Sequence, residues 1–211
     1  MQTTEPRTTS FGPLDIDFDD RVLEPREWTQ AQSQWAADLL DEVPEGPVLE
    51  LCAGAGHIGL LAVAASDRRL VMVDVNPVAV AYATANAERN GLADRVEVRE
   101  GDMREVVAAD ERFALVVADP PWVRSSDLRR FPADPQLAID GGDDGLDLAR
   151  LCLDVIGGHL LPGGVAILQL GPEQHVPIAA ELAEGRWPGL VPGGVREHGE
   201  RGCLLEVRRP A

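Results

Sequence analysis

Lysine is absent from this chain of 211 residues, and its 19 basic residues are all arginine. A Tyr–Lys catalytic pair is therefore excluded, although one tyrosine, Tyr82, is present. Cysteine is scarce and odd in number: Cys52, Cys152 and Cys203. Such a set builds no disulfide framework and reads as free thiols in a reducing cytoplasm. The 4 histidines are scattered without metal-ligand spacing, so no metal centre is expected. No apolar run approaches the roughly 18 residues of a membrane span, so no membrane is expected among the partners. Met1 to Ser10 shows no charged-then-apolar signal pattern, and residues 1–13 read as a disordered or extended tail. Positive charge is short as well. Against 36 acidic residues it leaves a net −17, a field that opposes contact with phosphate backbones.

The most informative feature present is Asp119-Pro120-Pro121-Trp122. It follows the apolar run Phe113 to Ala118, which reads as a buried strand. The prolines fix φ and remove two backbone donors, so the loop is stiff and offers carbonyls. An ionised acid only accepts hydrogen bonds, and a tryptophan presents an electron-rich face. Such a pocket can grip an N–H₂ group and aim its lone pair at an electrophile. The plain alternative is a strand ending in a proline turn with Trp122 packed.

Upstream lies a nucleotide-type site. A short strand, Pro47 to Leu51, breaks at Cys52-Ala53-Gly54-Ala55-Gly56-His57-Ile58-Gly59 and continues as a small-residue helix. Gly54 and Gly56 allow a tight turn and close approach of backbone to a ligand. The helix start supplies free N–H groups. A second strand, Leu70 to Val73, ends on Asp74, whose carboxylate can accept from a ribose diol. Gly54 to Gly59 literally matches the dinucleotide pattern, with Asp74 at nearly the right distance. A nicotinamide dehydrogenase is the first rival. It lacks the Tyr–Lys pair and room for a separate substrate domain.

The same segment resembles the loop of class I methyltransferases that bind S-adenosylmethionine. Their acid-x-Gly-x-Gly-x-Gly reads here Glu50-Leu51-Cys52-Ala53-Gly54-Ala55-Gly56, with Cys52 in the first glycine's place. The resemblance implies S-adenosyl-L-methionine as cofactor. Glu50 would help position its methionine end, Asp74 would hold the ribose, Asp102 and Met103 would hold the adenine, and Val75 and Asp119 would complete the cofactor-binding set. Cys52, Ala53, Gly54 and Gly56 would line the cradle. Asp119 to Trp122 falls where the amino-methyltransferases carry Asn/Asp-Pro-Pro-Tyr/Phe/Trp. For Glu50, Asp102 and Met103 the plain alternative is strand-end polarity and packing.

Two further segments are similar to the release-factor glutamine methyltransferases. Asp140 to Asp147 resembles their Asp-Gly-Gly-x-Asp-Gly-Leu-Asp block, and Arg21 to Thr29 resembles their Val-Leu-Ile-Pro-Arg-Pro-Glu-Thr segment. The first also reads as turn chemistry and helix capping. Three departures stand out. The family's Asn-Pro-Pro-Tyr becomes Asp119 and Trp122, its Pro-Glu-Thr-Glu becomes Glu27-Trp28-Thr29-Gln30, and its helical amino-terminal domain has no counterpart in residues 1–13. An acid cannot donate to a substrate carbonyl, so Asp119 suits an amine or a nucleobase amino group at least as well as a carboxamide.

The expected fold is α/β: an open, doubly wound, mostly parallel seven-stranded sheet with an antiparallel terminal hairpin. Residues 14–45 read as a flap and helix packed on the core, and 46–211 as the catalytic domain. Strand ends place Glu50, Asp74, Asp102 and Asp119 together. The expected activity is in-line methyl transfer to an amide or amino nitrogen, a protein glutamine among the candidates. Asp119, Pro120, Pro121 and Trp122 form the catalytic loop. Candidate acceptor-binding residues are Trp28 and Thr29 upstream, and Arg124, Arg129 and Arg130 in a long loop running to about Ile139. A protein or small-molecule acceptor is expected. A nucleic-acid amino-methyltransferase, disfavoured by charge, is one alternative; an inactive cofactor-binding partner subunit is another. No cysteine stands beside the loop in sequence, so covalent base methylation is not expected, and no ligand cluster is evident for metal-assisted O-methylation.

Overall fold

The computed structural model describes residues 4–211. From Arg7 the chain forms a hairpin of β1 (Arg7–Phe11) and β2 (Leu14–Phe18), antiparallel, with Phe11 opposite Leu14 and Arg7 opposite Phe18. This corrects the tail expected over 1–13, of which residues 1–3 lie outside the described residues. The reason is a short period-2 pattern, Leu14-Asp15-Ile16-Asp17-Phe18, whose apolar members and Phe11 are buried while Asp15 is exposed.

Helix α1 (Gln30–Leu39) then leads to β3 (Val48–Leu51), α2 (His57–Val63), β4 (Leu70–Asp74), α3 (Pro77–Arg89), β5 (Val96–Glu100), the one-turn α4 (Met103–Val106) and β6 (Phe113–Ala118). After the long loop come α6 (Asp147–His159), β7 (Leu160–Leu170), α7 (His175–Ala183), β8 (Val191–Glu197) and β9 (Cys203–Arg208). That loop holds a 3-10 turn, Ser125–Arg130, and a short α5 (Gln136–Ile139), so it has more local structure than expected. Helix α7 starts at His175, which leaves Pro177 in the first turn, where its missing N–H costs little.

Strands β3 to β9 form one sheet in the order β5-β4-β3-β6-β7-β9-β8. The first five pair in parallel, and β9 runs antiparallel between β7 and β8. This is the expected doubly wound sheet with its terminal hairpin. Strand order reverses between β3 and β6, so a crevice opens beyond their carboxyl ends. Both sheet faces are covered, which is why β3 and β6 are buried along their whole length. One face carries the α1–α3 layer and the amino-terminal hairpin, the other α4, α6 and α7. Among the described residues no helix is long and apolar enough to cross a membrane.

Two asparagines, Asn86 on α3 and Asn90 at its carboxyl cap, fix the hairpin to this core. Asn86 Oδ1 accepts the Asp17 N–H at 2.8 Å, and its Nδ2 donates to the carbonyls of Asp17 (3.0 Å) and Ala55 (2.9 Å). One turn on, Asn90 Oδ1 accepts from Asp15 N–H at 3.1 Å, and its Nδ2 donates to the Asp15 carbonyl at 3.0 Å. Each carboxamide thus pairs with β2 as a neighbouring strand would. Buried Asp19 completes the seam by accepting from Tyr82 Oη at 2.9 Å.

Candidate active site

The loop after β3 needs left-handed backbone at three positions. Cys52, Gly54 and Gly56 have φ of 57°, 54° and 79°. A Cβ on Gly56 would press on Met72 Sδ at 3.0 Å and Ala83 at 3.2 Å. A Cβ on Gly54 would meet nothing within 4 Å, because that glycine faces open cavity. Cys52 adopts the glycine conformation with a side chain, at a cost of roughly 1–2 kcal/mol.

Glu50, at the end of β3, is 2% exposed and lies beneath this loop. Its Oε1 accepts the Gly59 N–H at 2.9 Å, and Oε2 is buried with no partner among the described residues. A Cβ on Gly59 would sit 2.3 Å from that oxygen. So Gly59, read from sequence as part of a nucleotide loop, is the space the carboxylate occupies. Burial pushes Glu50 up to about 8, with the charges of Asp119 and Asp74 adding to the effect.

Asp74 ends β4 and supports the loop directly. Its Oδ2 accepts the Gly54 N–H at 2.7 Å and its Oδ1 the Asn76 N–H at 2.8 Å. Burial raises its pKa, and those backbone bonds oppose the rise. A carboxylate has about four acceptor sites, so each oxygen keeps capacity for a diol. Val75 beside it is exposed, and Met103 is buried. Asp102 stands at the cavity but is otherwise engaged. Its Oδ1 caps α4 by accepting the Arg104 N–H at 2.9 Å, and the Arg104 guanidinium reaches Oδ2 at 2.5 Å. Those bonds hold Asp102 down at about 2.

Asp119 leaves the end of β6 half-buried, and its carboxylate makes no hydrogen bond to the described residues. Burial raises it to about 7, opposed by the positive charge of Arg26. One cavity of about 670 Å³ is walled by Cys52, Ala53, Gly54, Asp74, Val75, Asp102, Met103, Asp119 and Pro121. Structure therefore brings most of the predicted residues together. Glu50, Gly56, Pro120 and Trp122 are not on its wall. Gly56 shapes the turn from behind, and the Trp122 ring lies over Gly171, where a Cβ would be 2.7 Å from its Cε3.

The acceptor candidates scatter. Thr29 is 3% exposed and its hydroxyl donates to the Arg26 carbonyl at 2.8 Å, so it closes a turn. Trp28 borders a separate polar depression with Glu24, Arg26, Glu27 and Asp134. There Arg26 pairs with Asp134 at 2.7 Å, joining the amino-terminal segment to the long loop. Arg124, Arg129 and Arg130 are exposed and off the cavity wall, and Arg130 reaches Asp127 at 4.0 Å. Sequence reading missed His57, Asn76 and Gln136, which line the cavity. His57 is buried, its Nδ1 is unpartnered, and burial depresses it to about 4. No local pattern marks it, since it sits inside a loop read for its glycines. Among the described residues no group of His, Cys, Asp and Glu could hold a metal.

Two features fit S-adenosylmethionine: the open space before Gly54, and the acids Asp74 and Asp119 on the wall of one cavity, suited to a sulfonium. Residues 31–132 match the model of the "Methyltransferase small domain" family. The ribosomal protein uL3 glutamine methyltransferase of Francisella tularensis is 33% identical over 175 residues, 78% of this chain and 54% of that protein. The release factor glutamine methyltransferase of Moorella thermoacetica is 36% identical over 169 residues, 78% of this chain and 59% of that protein. The chain thus spans little more than half the length of these relatives. Among solved structures, the ribosomal protein L11 methylase of Lactobacillus delbrueckii subsp. bulgaricus superposes with a TM-score of 0.63 at 17% identity, covering 92% of this chain and 84% of that one. The human methyltransferase 10 domain containing protein gives 0.64 at 18% identity, covering 92% and 88%. These two show the fold alone. With its sheet order, its cavity and its sequence relatives in agreement, the chain has the fold of the class I methyltransferases, matches the methyltransferase small domain family over residues 31–132 and resembles the glutamine methyltransferases over most of its own length.

Proposed function

We propose that this chain transfers a methyl group from S-adenosylmethionine to an amide or amino nitrogen held by the Asp119–Trp122 loop. The observation that carries the reading is the Asp119 carboxylate, without a hydrogen bond among the described residues, set on the wall of the cavity that holds Gly54 and Asp74. When bound, the cofactor supplies an electrophilic methyl on a sulfonium. Asp74 would hold the ribose hydroxyls, Met103 the base, and the Gly54 region the part between them. Asp102 lends backbone more than carboxylate, since Arg104 occupies its oxygens.

On the acceptor side Asp119 accepts an N–H, and the nitrogen lone pair is aimed. Positioning and fixed charge account for the rate enhancement. With a pKa about 7, Asp119 can also hold the proton that an amine acceptor sheds near neutral pH. Glutamine in a protein is the first acceptor class, because the relatives are named for it. In its ionised form Asp119 favours a second reading, a nucleobase amino group, since a carboxylate cannot donate to a carboxamide oxygen. The net −17 argues against that. The three free cysteines agree with action in the cytoplasm. Labelled S-adenosylmethionine offered with purified release factor, with RNA and with a pool of small amines decides the class. Label in release factor supports the glutamine reading, and label only in RNA or amines replaces it.

A further inference from the structure

The two prolines of the acceptor loop leave it without amide donors at its middle, so something else must hold it still. Two glutamine carboxamides stand at its two ends. Gln32, fully buried on α1, donates through Nε2 to the carbonyl of Ala118, the residue before Asp119, at 2.9 Å. The same nitrogen donates to the Ile167 carbonyl on β7, also at 2.9 Å. Gln174, just before α7, donates through Nε2 to the Trp122 carbonyl at 3.1 Å, and to those of Gly145 at 3.3 Å and Asp144 at 3.4 Å. Its Oε1 accepts the Gly171 N–H at 2.7 Å. Each donor spans the loop and a neighbouring element.

The glycines of the 140–147 block close the fit. A Cβ on Gly145 would lie 2.5 Å from both the Trp122 carbonyl and Gln174 Nε2. One on Gly141 would lie 2.7 Å from the Pro121 carbonyl. Val123 adds a strand-like link: its N–H donates to Ile139 at 2.9 Å, and its carbonyl accepts from Gly141 at 2.8 Å.

We infer that Gln32 and Gln174 are positioning residues for methyl transfer: they clamp the carbonyls on either side of the Asp119–Trp122 loop, with Gly141 and Gly145 as the wall behind it. This rests on the reading of that loop as the acceptor site. Neither glutamine is on the wall of the cofactor cavity, so their loss should act on the acceptor step and spare cofactor binding.

The test uses the full chain and the variants Gln32→Met, Gln174→Met and Gln174→Glu. The methionines keep side-chain length without donors; Glu keeps the acceptor for Gly171 and loses the donors. The probes are S-adenosylmethionine and purified release factor. Turnover in each variant should fall roughly 10- to 100-fold, the scale of an ångström-size misplacement. Cofactor Kd should stay within about twofold, by the same separation of positioning from binding. In the Gln174 variants the Val123 amide should exchange faster than in wild type. Gly145→Ala, which presses on the same carboxamide, should reproduce the loss of turnover.

Wild-type turnover in the glutamine variants overturns the inference. Turnover, cofactor affinity and melting temperature falling together also overturn it, since that pattern marks a structural role. Should the wild type bind cofactor yet leave release factor unmethylated, the glutamine reading fails by itself. Exchange at Val123 then decides the clamp: faster in the Gln174 variants supports it, unchanged refutes it.

Discussion

Asp119→Asn restores the residue that the glutamine methyltransferases carry, and its effect on stability should depend on pH. Burial raises Asp119 from 3.8 to about 7. Between those values the folded chain keeps a proton that the unfolded chain has lost. Stability of the wild type should therefore fall as pH rises from about 4 to about 7, then level off. The largest slope is 1.36 kcal/mol per pH unit for one group. Across the window this gives about 4 kcal/mol, and roughly 2–3 after allowing for the carboxylate's partial exposure to cavity water. Asparagine has no charge to bury, so its stability curve should lack this slope. Denaturant melts of the ligand-free chain and the variant at pH 4.5, 6, 7 and 8.5 measure the difference. The variant should gain little at pH 4.5 and about 2–3 kcal/mol at pH 8.5. Parallel curves for the two proteins would refute the reasoning, because Asp119 would then be an ordinary solvated acid. The same variant separates acceptor classes: a carboxamide acceptor should tolerate it or gain, and an acceptor that becomes strongly cationic should lose rate.

Asp119→Ala should cut turnover by roughly 10²–10³ with a far smaller change in cofactor affinity, measured by steady-state kinetics beside calorimetry. Asp74→Ala should weaken cofactor binding by at least about 1.5–3 kcal/mol, since it also releases the Gly54 amide; Arg129→Ala and Arg130→Ala, off the cavity wall, should leave it unchanged. Cys52→Gly relieves a side chain at φ 57° and should raise the melting temperature by about 2–4 °C, as a gain near 1 kcal/mol does in a chain of this size. Affinity for S-adenosylmethionine should rise between about pH 6 and 8.5 as Asp119 and Glu50 ionise, and affinity for its neutral sulfide product should rise less; calorimetry at three pH values compares the two.

The parts of the fold legible in sequence are those with a strong local signal. Val48 to Leu51 and Phe113 to Ala118 are continuous apolar runs because both their faces are covered. Asp74 and Asp119 were readable as strand-end acids because each closes such a run. The hairpin from Arg7 was not legible, because its apolar face alternates with acids that look like tail composition. Asp102 was assigned to a ligand although Arg104 stands two residues away, near enough to take both oxygens. Gln32, Asn86 and Gln174 gave no local signal of their burial. Their partners lie 86, 69 and 52 residues distant in Ala118, Asp17 and Trp122, so only the fold brings them together. The one available hint was the spacing of Asn86 and Asn90, one turn apart on an alanine-rich helix face.

Calorimetric titration of the purified chain with S-adenosylmethionine, with NAD as the rival ligand, tests the central claim most directly. The cavity between Gly54, Asp74 and Asp119 should bind S-adenosylmethionine at micromolar scale, near −8 kcal/mol, and NAD should give no heat of binding. Tight NAD binding with no response to the methyl donor would contradict the account.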